Sequence, residues 1–285
     1  MLNAATSQLA VQVSCAGGVG FIAAGTTFEG LDKKLTEITT LLQDHSTLVK
    51  GAKQTLPIGV GFQCWSLEVD VAVKAIKKHA PAMAWLFAPN DVGDCRHWAQ
   101  ELHAANQGRT SIWIQVGSVQ EAMQAMQAAK PDVLVLQGAD AGGHGLRQSG
   151  SVLSLVPETL DMLASNGMSD VPVLAAGGLV NGRGVAAAVA LGACGVVMGT
   201  RFLAATEAGI PEGWQQDILR TNDGGVTTTR STLCDRLKET RGWPEHYDGR
   251  AIVNKGHEDE ANGMPDHEQV EVYKTELEAG DEAWG

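Results

Sequence analysis

The sequence predicts an α/β fold, specifically a TIM (β/α)8-type barrel whose first strand is missing or replaced. Seven short apolar runs rich in β-branched residues recur along the chain, and longer segments with helical spacing separate them. Each run is nearly continuously hydrophobic, which is typical of parallel strands covered on both faces. At 285 residues the chain also has the length of one such barrel, for which about 250 residues are typical.

The apolar runs and the segments between them give the predicted elements in order. The seven predicted strands are residues 19–24, 57–62, 82–88, 111–116, 133–136, 171–176 and 195–198. The predicted helices are residues 4–14, 31–42, 66–79, 97–106, 118–129, 157–165 and 184–191. This alternation is typical of repeated βα units around a parallel sheet.

The predicted barrel is one strand short, and the gap falls at its beginning, because a helix precedes the first visible strand. An unfilled gap would leave two unpaired sheet edges, so we expect another segment to replace the strand. One candidate is the stretch from Glu268 to Tyr273, in which Val270 and Val272 alternate with polar residues.

Composition changes along the chain predict three regions. Residues 1–205 form the barrel core, and residues 206–256 form a small helical or irregular region that closes on the barrel. Residues 257–285 form an acidic C-terminal segment that is poor in apolar residues.

The net charge and the cysteines of the sequence argue against several classes of partner and site. The formal net charge of -12 disfavours nucleic acid and anionic membranes, so a small-molecule substrate is expected. The five cysteines are scattered and never form a C-x-x-C pair, which argues against a disulfide scaffold and a zinc site. Without a membrane-length apolar stretch or a signal-peptide layout at the start, the expected location is cytoplasmic.

The strongest chemical motif follows the fifth predicted strand. There Gln137 leads into a run in which Gly142, Gly143 and Gly145 surround His144. Glycines at the end of a strand allow a ligand to approach the backbone closely, so a ligand site is expected at this loop. An imidazole can exchange a proton near neutral pH, which makes His144 the candidate catalytic residue. Asp140 is a second possible base, although its position before a glycine turn favours a role in ordering the loop.

Two further glycine turns follow the last two predicted strands. Gly177 and Gly178 end one strand, and Gly199 and Thr200 end the next. If the missing strand is the first, these are strands 7 and 8, whose loops commonly bind phosphate in this type of barrel. The two turns therefore predict a phosphate site.

Three motifs follow one another in the order Asp140-Ala141-Gly142-Gly143-His144-Gly145, Ala175-Ala176-Gly177-Gly178 and Met198-Gly199-Thr200-Arg201-Phe202. Together they resemble the nitronate monooxygenases, formerly called 2-nitropropane dioxygenases. The fungal members in particular are resembled by Ile58-Gly59-Val60-Gly61-Phe62 and by Gly242-Trp243-Pro244-Glu245 with Asp248-Gly249-Arg250. The resemblance implies an FMN-dependent barrel that oxidises alkyl nitronates or nitroalkanes with dioxygen, giving a carbonyl compound and nitrite.

The resemblance also implies roles for individual residues. Gln137, Gly142 and Gly143 would line the flavin, whereas Gly177, Gly178, Gly199 and Thr200 would hold its phosphate. His144 would act on the substrate as a base or as an orienting donor. No metal is implied, and a homodimer is compatible with the family.

Two alternative functions remain open at this stage. One is an NAD(P)H-dependent FMN enoyl reductase, because this barrel class binds NAD(P)H without a second dinucleotide fingerprint. The other is a degenerate, flavin-free barrel with a binding or pathway-specific role, which the missing strand would favour.

Overall fold

The computed structural model describes residues 4–43, 55–240 and 242–278. Its main feature is a curled sheet of seven parallel strands in the order β1-β2-β3-β4-β5-β7-β8. These strands are β1 (Phe21–Ala23), β2 (Leu56–Gln63), β3 (Pro81–Phe87), β4 (Ser111–Val116), β5 (Val133–Gln137), β7 (Val173–Ala176) and β8 (Gly195–Val197). All seven predicted strands are confirmed.

Helices connect the strands and cover the outside of the sheet. They are α1 (Ser7–Cys15), α2 (Phe28–Gln43), α3 (Val69–His79), α4 (Cys95–Ala105), α5 (Val119–Ala128), α6 (Val152–Ser165) and α7 (Gly182–Ala190). Each overlaps a predicted helix. The amphipathic spacing is clear in α2, where Leu31, Leu35, Ile38 and Leu42 are buried while the residues between them face outward.

The two faces of the sheet contribute to different hydrophobic clusters. In β5, Leu134 and Leu136 belong to the large core between sheet and helices, whereas Val135 belongs to a smaller cluster inside the curl. Successive side chains of a strand point to opposite faces, so one continuous apolar run supplies both clusters. This explains why polar and apolar residues do not alternate along these strands.

Aromatic rings fill the inside of the curl. Phe21 lies 5.2 Å from the ring of Trp85 and 5.3 Å from the ring of Trp113, measured between centroids. The indole Nε1 of the buried Trp85 donates to Gln115 Oε1 at 3.0 Å. Gly59 is required beneath this cluster, because a Cβ there would lie 2.0 Å from the Phe21 ring. The interior is therefore a packed core, as in other barrels of this type.

The described part of the sheet does not close into a full barrel. Within the three described ranges no strand joins β1 to β8, which are the two ends of the seven-stranded order. The proposed replacement strand at Glu268 to Tyr273 is wrong, because this stretch lies in helix α13 (Asp266–Glu278). Gln269 and Tyr273, four residues apart, form the buried helical face, and this spacing outweighs the short alternation of valines.

A second, antiparallel sheet of three strands has the order β6-β10-β9. Its strands are β6 (Gly143–Leu146), β9 (Thr228–Ser231) and β10 (Tyr247–Ile252). The sequence analysis did not predict this sheet. Two of the four residues of β6 are glycines, which have low strand propensity, and the strand β10 with which it pairs is about a hundred residues away along the chain.

A buried ion pair joins the strands of the small sheet. The Arg230 guanidinium donates from Nε to Asp248 Oδ1 at 2.7 Å, and from Nη2 to the backbone oxygens of Gly145 and Asp248 at 3.0 and 2.9 Å. The Arg230 and Asp248 side chains are only 13% and 7% exposed. Arg230 therefore connects β9 to both β10 and β6.

Short helices complete the region after the barrel. They are α8 (Thr200–Leu203), α9 (Glu212–Arg220), α10 (Gly224–Thr227), α11 (Leu233–Leu237), α12 (Lys255–Ala261) and α13. Leu233 and Leu237 of α11 pack against Tyr273 of α13. The acidic segment is thus helical in α12 and over residues 266–278, although no strong helical pattern is visible in its sequence.

The division at residues 205 and 256 stays a prediction, and the small sheet crosses the first boundary because β6 lies before it. None of the helices in the described ranges is long and apolar enough to cross a bilayer. All five cysteines are free thiols.

Candidate active site

The three predicted glycine turns meet at the carboxyl end of the parallel sheet. A Cβ added to Gly177 would lie 3.0 Å from the backbone oxygen of Gly138, in the loop after β5. A Cβ added to Gly142 of the same loop would lie 2.6 Å from Thr200 Oγ1, after β8. The loops after β5, β7 and β8 are therefore in contact, with no room for side chains between them.

Backbone conformation at these turns also requires glycine. Gly177 and Gly178 have φ angles of 109° and 68°, and Gly143 has a φ angle of 77°. Side chains disfavour this left-handed region, so glycine is the residue that allows the chain to turn here. The sequence prediction of specialised turns is therefore supported by geometry.

The turns after β7 and β8 present backbone N–H groups that the described part of the chain does not use. The N–H groups of Gly178 and Gly199 form no hydrogen bond with a described residue, and both residues are exposed. Thr200 begins α8, where the first N–H groups have no helical partner. Such groups at successive strand ends can hold an anion, and phosphate has the required oxygens.

Gln137 holds the backbone beside the candidate catalytic residue. Its amide Nε2 donates to the backbone oxygen of His144 at 3.0 Å, and its Oε1 would lie 2.5 Å from a Cβ at Gly145. The geometry gives Gln137 a structural contact with the loop, and its predicted approach to a flavin stays a prediction.

The His144 side chain lies between an acid and an aromatic ring. Its Nε2 is 3.0 and 2.9 Å from the two carboxylate oxygens of Asp235, on α11. Because an ionised carboxylate only accepts, the imidazole N–H is the donor. The Trp243 ring stacks on the imidazole with centroids 3.8 Å apart and planes 4° from parallel. The ring of His144 is therefore held at one edge and on one face.

Trp243 is the centre of an aromatic cluster over the site. Its ring lies 5.1 Å from Trp65, 6.1 Å from Phe87 and 6.4 Å from Tyr247. The Nε1 atoms of Trp65 and Trp243 are buried and have no hydrogen-bond partner among the described residues. An unsatisfied buried donor costs about 1–3 kcal/mol, which a ligand oxygen or a water molecule at this place would offset.

A buried carboxyl lies near the edge of this cluster. Glu121 Oε2 accepts from the backbone N–H of Gly117, after β4, at 2.7 Å. Burial raises the pKa of the Glu121 carboxyl above its ordinary value, and the Gly117 hydrogen bond partly offsets this effect. Burial also raises the pKa of Tyr247, with a smaller contribution from the charge of Glu121.

The sequence analysis missed two residues that contact His144. Asp235 follows His144 by 91 residues and carries no local signal of its partner. Trp243 lies in the segment Gly242-Trp243-Pro244-Glu245, which carries part of the resemblance to the fungal family members, but no sequence pattern places its ring on an imidazole. Both contacts depend on the pairing of β6 with β10.

The fold is an α/β half-barrel, and its glycine turns together with His144 form a candidate ligand site. The model of the family described as nitronate monooxygenase matches residues 89–242. The chain belongs to this family, and the resemblance identified from the sequence motifs is confirmed.

Curated relatives and solved structures agree with this assignment. The chain is 42% identical to the nitronate monooxygenase npaC of Metarhizium robertsii, over 97% of this chain and 77% of the relative. It is 38% identical to the nitronate monooxygenase of Neurospora crassa, over 97% of this chain and 78% of the relative. A solved structure of nitroalkane oxidase from Streptomyces ansochromogenes has the same fold, with a TM-score of 0.72, 23% identity and coverage of 99% of this chain and 84% of the other.

Proposed function

We propose that this protein is an FMN-dependent oxidoreductase that oxidises alkyl nitronates, and the nitroalkanes from which they form, with dioxygen to a carbonyl compound and nitrite. The observation that carries the proposal is the meeting of the turns after β5, β7 and β8, with His144 directly after the first of these turns. Membership of the nitronate monooxygenase family supports the same reaction.

The glycine turns fit the phosphate end of FMN. Gly177, Gly178, Gly199 and Thr200 would hold the phosphate through backbone N–H groups, because those of Gly178 and Gly199 have no partner in the described part of the chain. Gly142 and Gly143 would leave room for the rest of the cofactor. When bound, FMN would supply electron transfer between the substrate and dioxygen, while the protein provides position and electrostatics.

His144 would act on the substrate. For a neutral nitroalkane, the imidazole takes the proton from the carbon next to the nitro group, and the electron pair of the C–H bond forms the C=N bond of the nitronate. For a preformed nitronate no proton has to be removed, and the imidazole only orients the anion. The Trp243 ring covers one face of His144 and limits access of water to that face.

Absorbance spectroscopy of the purified protein tests the proposed cofactor and substrate together. We expect a flavin spectrum that ethylnitronate bleaches under anaerobic conditions and that returns with air. A colourless protein that takes up no added FMN would refute the proposal. Rapid bleaching by NADPH, with no response to ethylnitronate, would instead identify a reductase.

A His144→Ala variant tests the assigned role. We expect retained FMN and a loss of nitroethane oxidation by about 10²- to 10⁴-fold, the usual contribution of a general base. His97→Ala is the matched control, because His97 is exposed on α4 and contacts no part of the site. Equal activity of the His144 variant and the parent would remove His144 from the mechanism.

A further inference from the structure

The contact between His144 and Asp235 joins two parts of the protein. His144 lies on β6, immediately after the barrel loop, and Asp235 lies on α11 in the region after the barrel. Their side chains are 27% and 16% exposed, so water screens the interaction only partly. Both carboxylate oxygens are within 3.0 Å of the same nitrogen.

Several contacts determine where Asp235 stands. Arg236, the next residue on α11, pairs with Glu260 of α12 and with Asp266 of α13. Leu233 and Leu237 bury the opposite side of the helix against α13. The C-terminal helices therefore hold α11 in place, and with it the carboxylate of Asp235.

The surroundings of His144 leave its ring little freedom to turn. Gly249 is paired with His144 in the β6–β10 register, and a Cβ at Gly249 would lie 3.7 Å from the imidazole. Trp243 covers one ring face, and Gln137 holds the backbone oxygen. The hydrogen bond to Asp235 then selects the orientation of the ring.

We propose that Asp235 is a positioning residue that prepares His144 to remove a proton from neutral nitroalkanes, an inference that rests on the proposed function. As an acceptor, Asp235 keeps the hydrogen on Nε2, so the lone pair of the neutral ring is on Nδ1. Among the described residues none forms a hydrogen bond with Nδ1.

The same arrangement stabilises the product of the proton transfer. When the C–H bond next to the nitro group breaks, its electron pair enters the C=N bond and its proton binds Nδ1. The resulting imidazolium lies against the Asp235 carboxylate and on the face of Trp243, and both interactions favour a cation. Oxidation of a preformed nitronate needs no such proton transfer, so its rate should depend much less on Asp235.

The test compares two substrates in three holoenzymes: the parent, Asp235→Asn and Asp217→Asn. Asp217→Asn is the matched control, because it makes the same change in a surface ion pair with Arg220 and has no part in holding His144 or α11. With nitroethane, Asp235→Asn should lower kcat/KM by at least about tenfold, a part of the full effect of a general base. With ethylnitronate its kcat/KM should stay within about threefold of the parent, and Asp217→Asn should match the parent on both substrates.

A kinetic isotope effect gives a readout that general loosening of the fold would not produce. With nitroethane deuterated at the reacting carbon, Asp235→Asn should show a larger isotope effect than the parent, because proton removal becomes more rate-limiting. Asp235→Glu, which keeps a carboxylate on a longer side chain, should recover part of the lost activity.

Equal losses on nitroethane and ethylnitronate, or no loss on either, would overturn the positioning role. A holoenzyme parent that oxidises neither substrate would refute the proposed function itself, which is a different result. If Asp235→Asn does not fold, Asp235→Glu decides the question, because a displaced carboxylate should lower activity on nitroethane more than on ethylnitronate, and equal losses on the two substrates would contradict the positioning role.

Discussion

Replacement of Arg230 by Met should destabilise the protein strongly, because it removes the buried partner of the Asp248 carboxylate and leaves only a half-exposed arginine near it. The Arg230 and Asp248 side chains are 13% and 7% exposed, and Arg230 donates to Asp248 Oδ1 and to two backbone oxygens. After the substitution, the nearest cation to Asp248 is Arg147, at 3.5 Å and half-exposed. Breaking a buried ion pair in this way costs about 3–5 kcal/mol.

A decrease of about 3–5 kcal/mol in the free energy of unfolding corresponds to a fall in Tm of about 6 to 20 °C, taking roughly 2 to 4 °C per kcal/mol for a chain of this size. Differential scanning calorimetry of the parent and Arg230→Met measures it directly. Arg220→Met is the control, because Arg220 is 75% exposed in its pair with Asp217, and a surface pair contributes only about 0–1 kcal/mol.

Adding Asp248→Asn to Arg230→Met tests the physical reason. The second change removes the negative charge that has lost its buried partner, so the double variant should be more stable than Arg230→Met alone. If Arg230→Met costs no more than Arg220→Met, or if the double variant is no more stable than Arg230→Met, the buried pair does not hold the small sheet.

Two further predictions concern stability. Gly59→Ala should lower the free energy of unfolding by about 1–3 kcal/mol in urea denaturation, because its Cβ would lie 2.0 Å from the Phe21 ring inside a packed cluster. Gly182→Ala, which has open space at that position, should lose less than about 0.5 kcal/mol, and equal losses would contradict the packing argument. Glu121→Gln should raise Tm at neutral pH, because burial raises the pKa of Glu121 in the folded state and the charged form is therefore disfavoured there. As the pH falls through this raised pKa towards the ordinary value of about 4.3, the parent gains stability by binding the proton, so the difference in Tm should vanish. A difference in Tm that does not change with pH would refute this assignment.

The parallel sheet could be predicted well from the sequence because its signals are local. Each strand is a short apolar run, and each helix between strands has its own periodicity, as in α2 with Leu31 and Leu35. The ends of the runs fixed the positions of the glycine turns, so Gly177 and Gly178 could be assigned to a ligand site before any contact was known. Their contact with the loop after β5 then follows from the parallel arrangement.

The small sheet could not be predicted in the same way. Gly143 and Gly145 in β6 read locally as loop residues, and only pairing with β10 makes them a strand. The prediction of a strand from Glu268 to Tyr273 was wrong for a related reason. A short alternation of valines agrees with a strand, but the burial of Gln269 and Tyr273 against neighbouring helices favours a helix.

The sequence by itself determined the class of fold, the turns that could hold a phosphate and the identity of His144 as the candidate catalytic residue. These features depend on residue types within a few positions of one another. Only the tertiary structure decided what surrounds His144, because Asp235 and Trp243 are about a hundred residues away and reach it through the pairing of β6 with β10 and the packing of α11. The tertiary structure also showed that β1 and β8 stay unpaired with each other within the described ranges, since the pairing of strand edges depends on distance in space and leaves no mark on the local sequence.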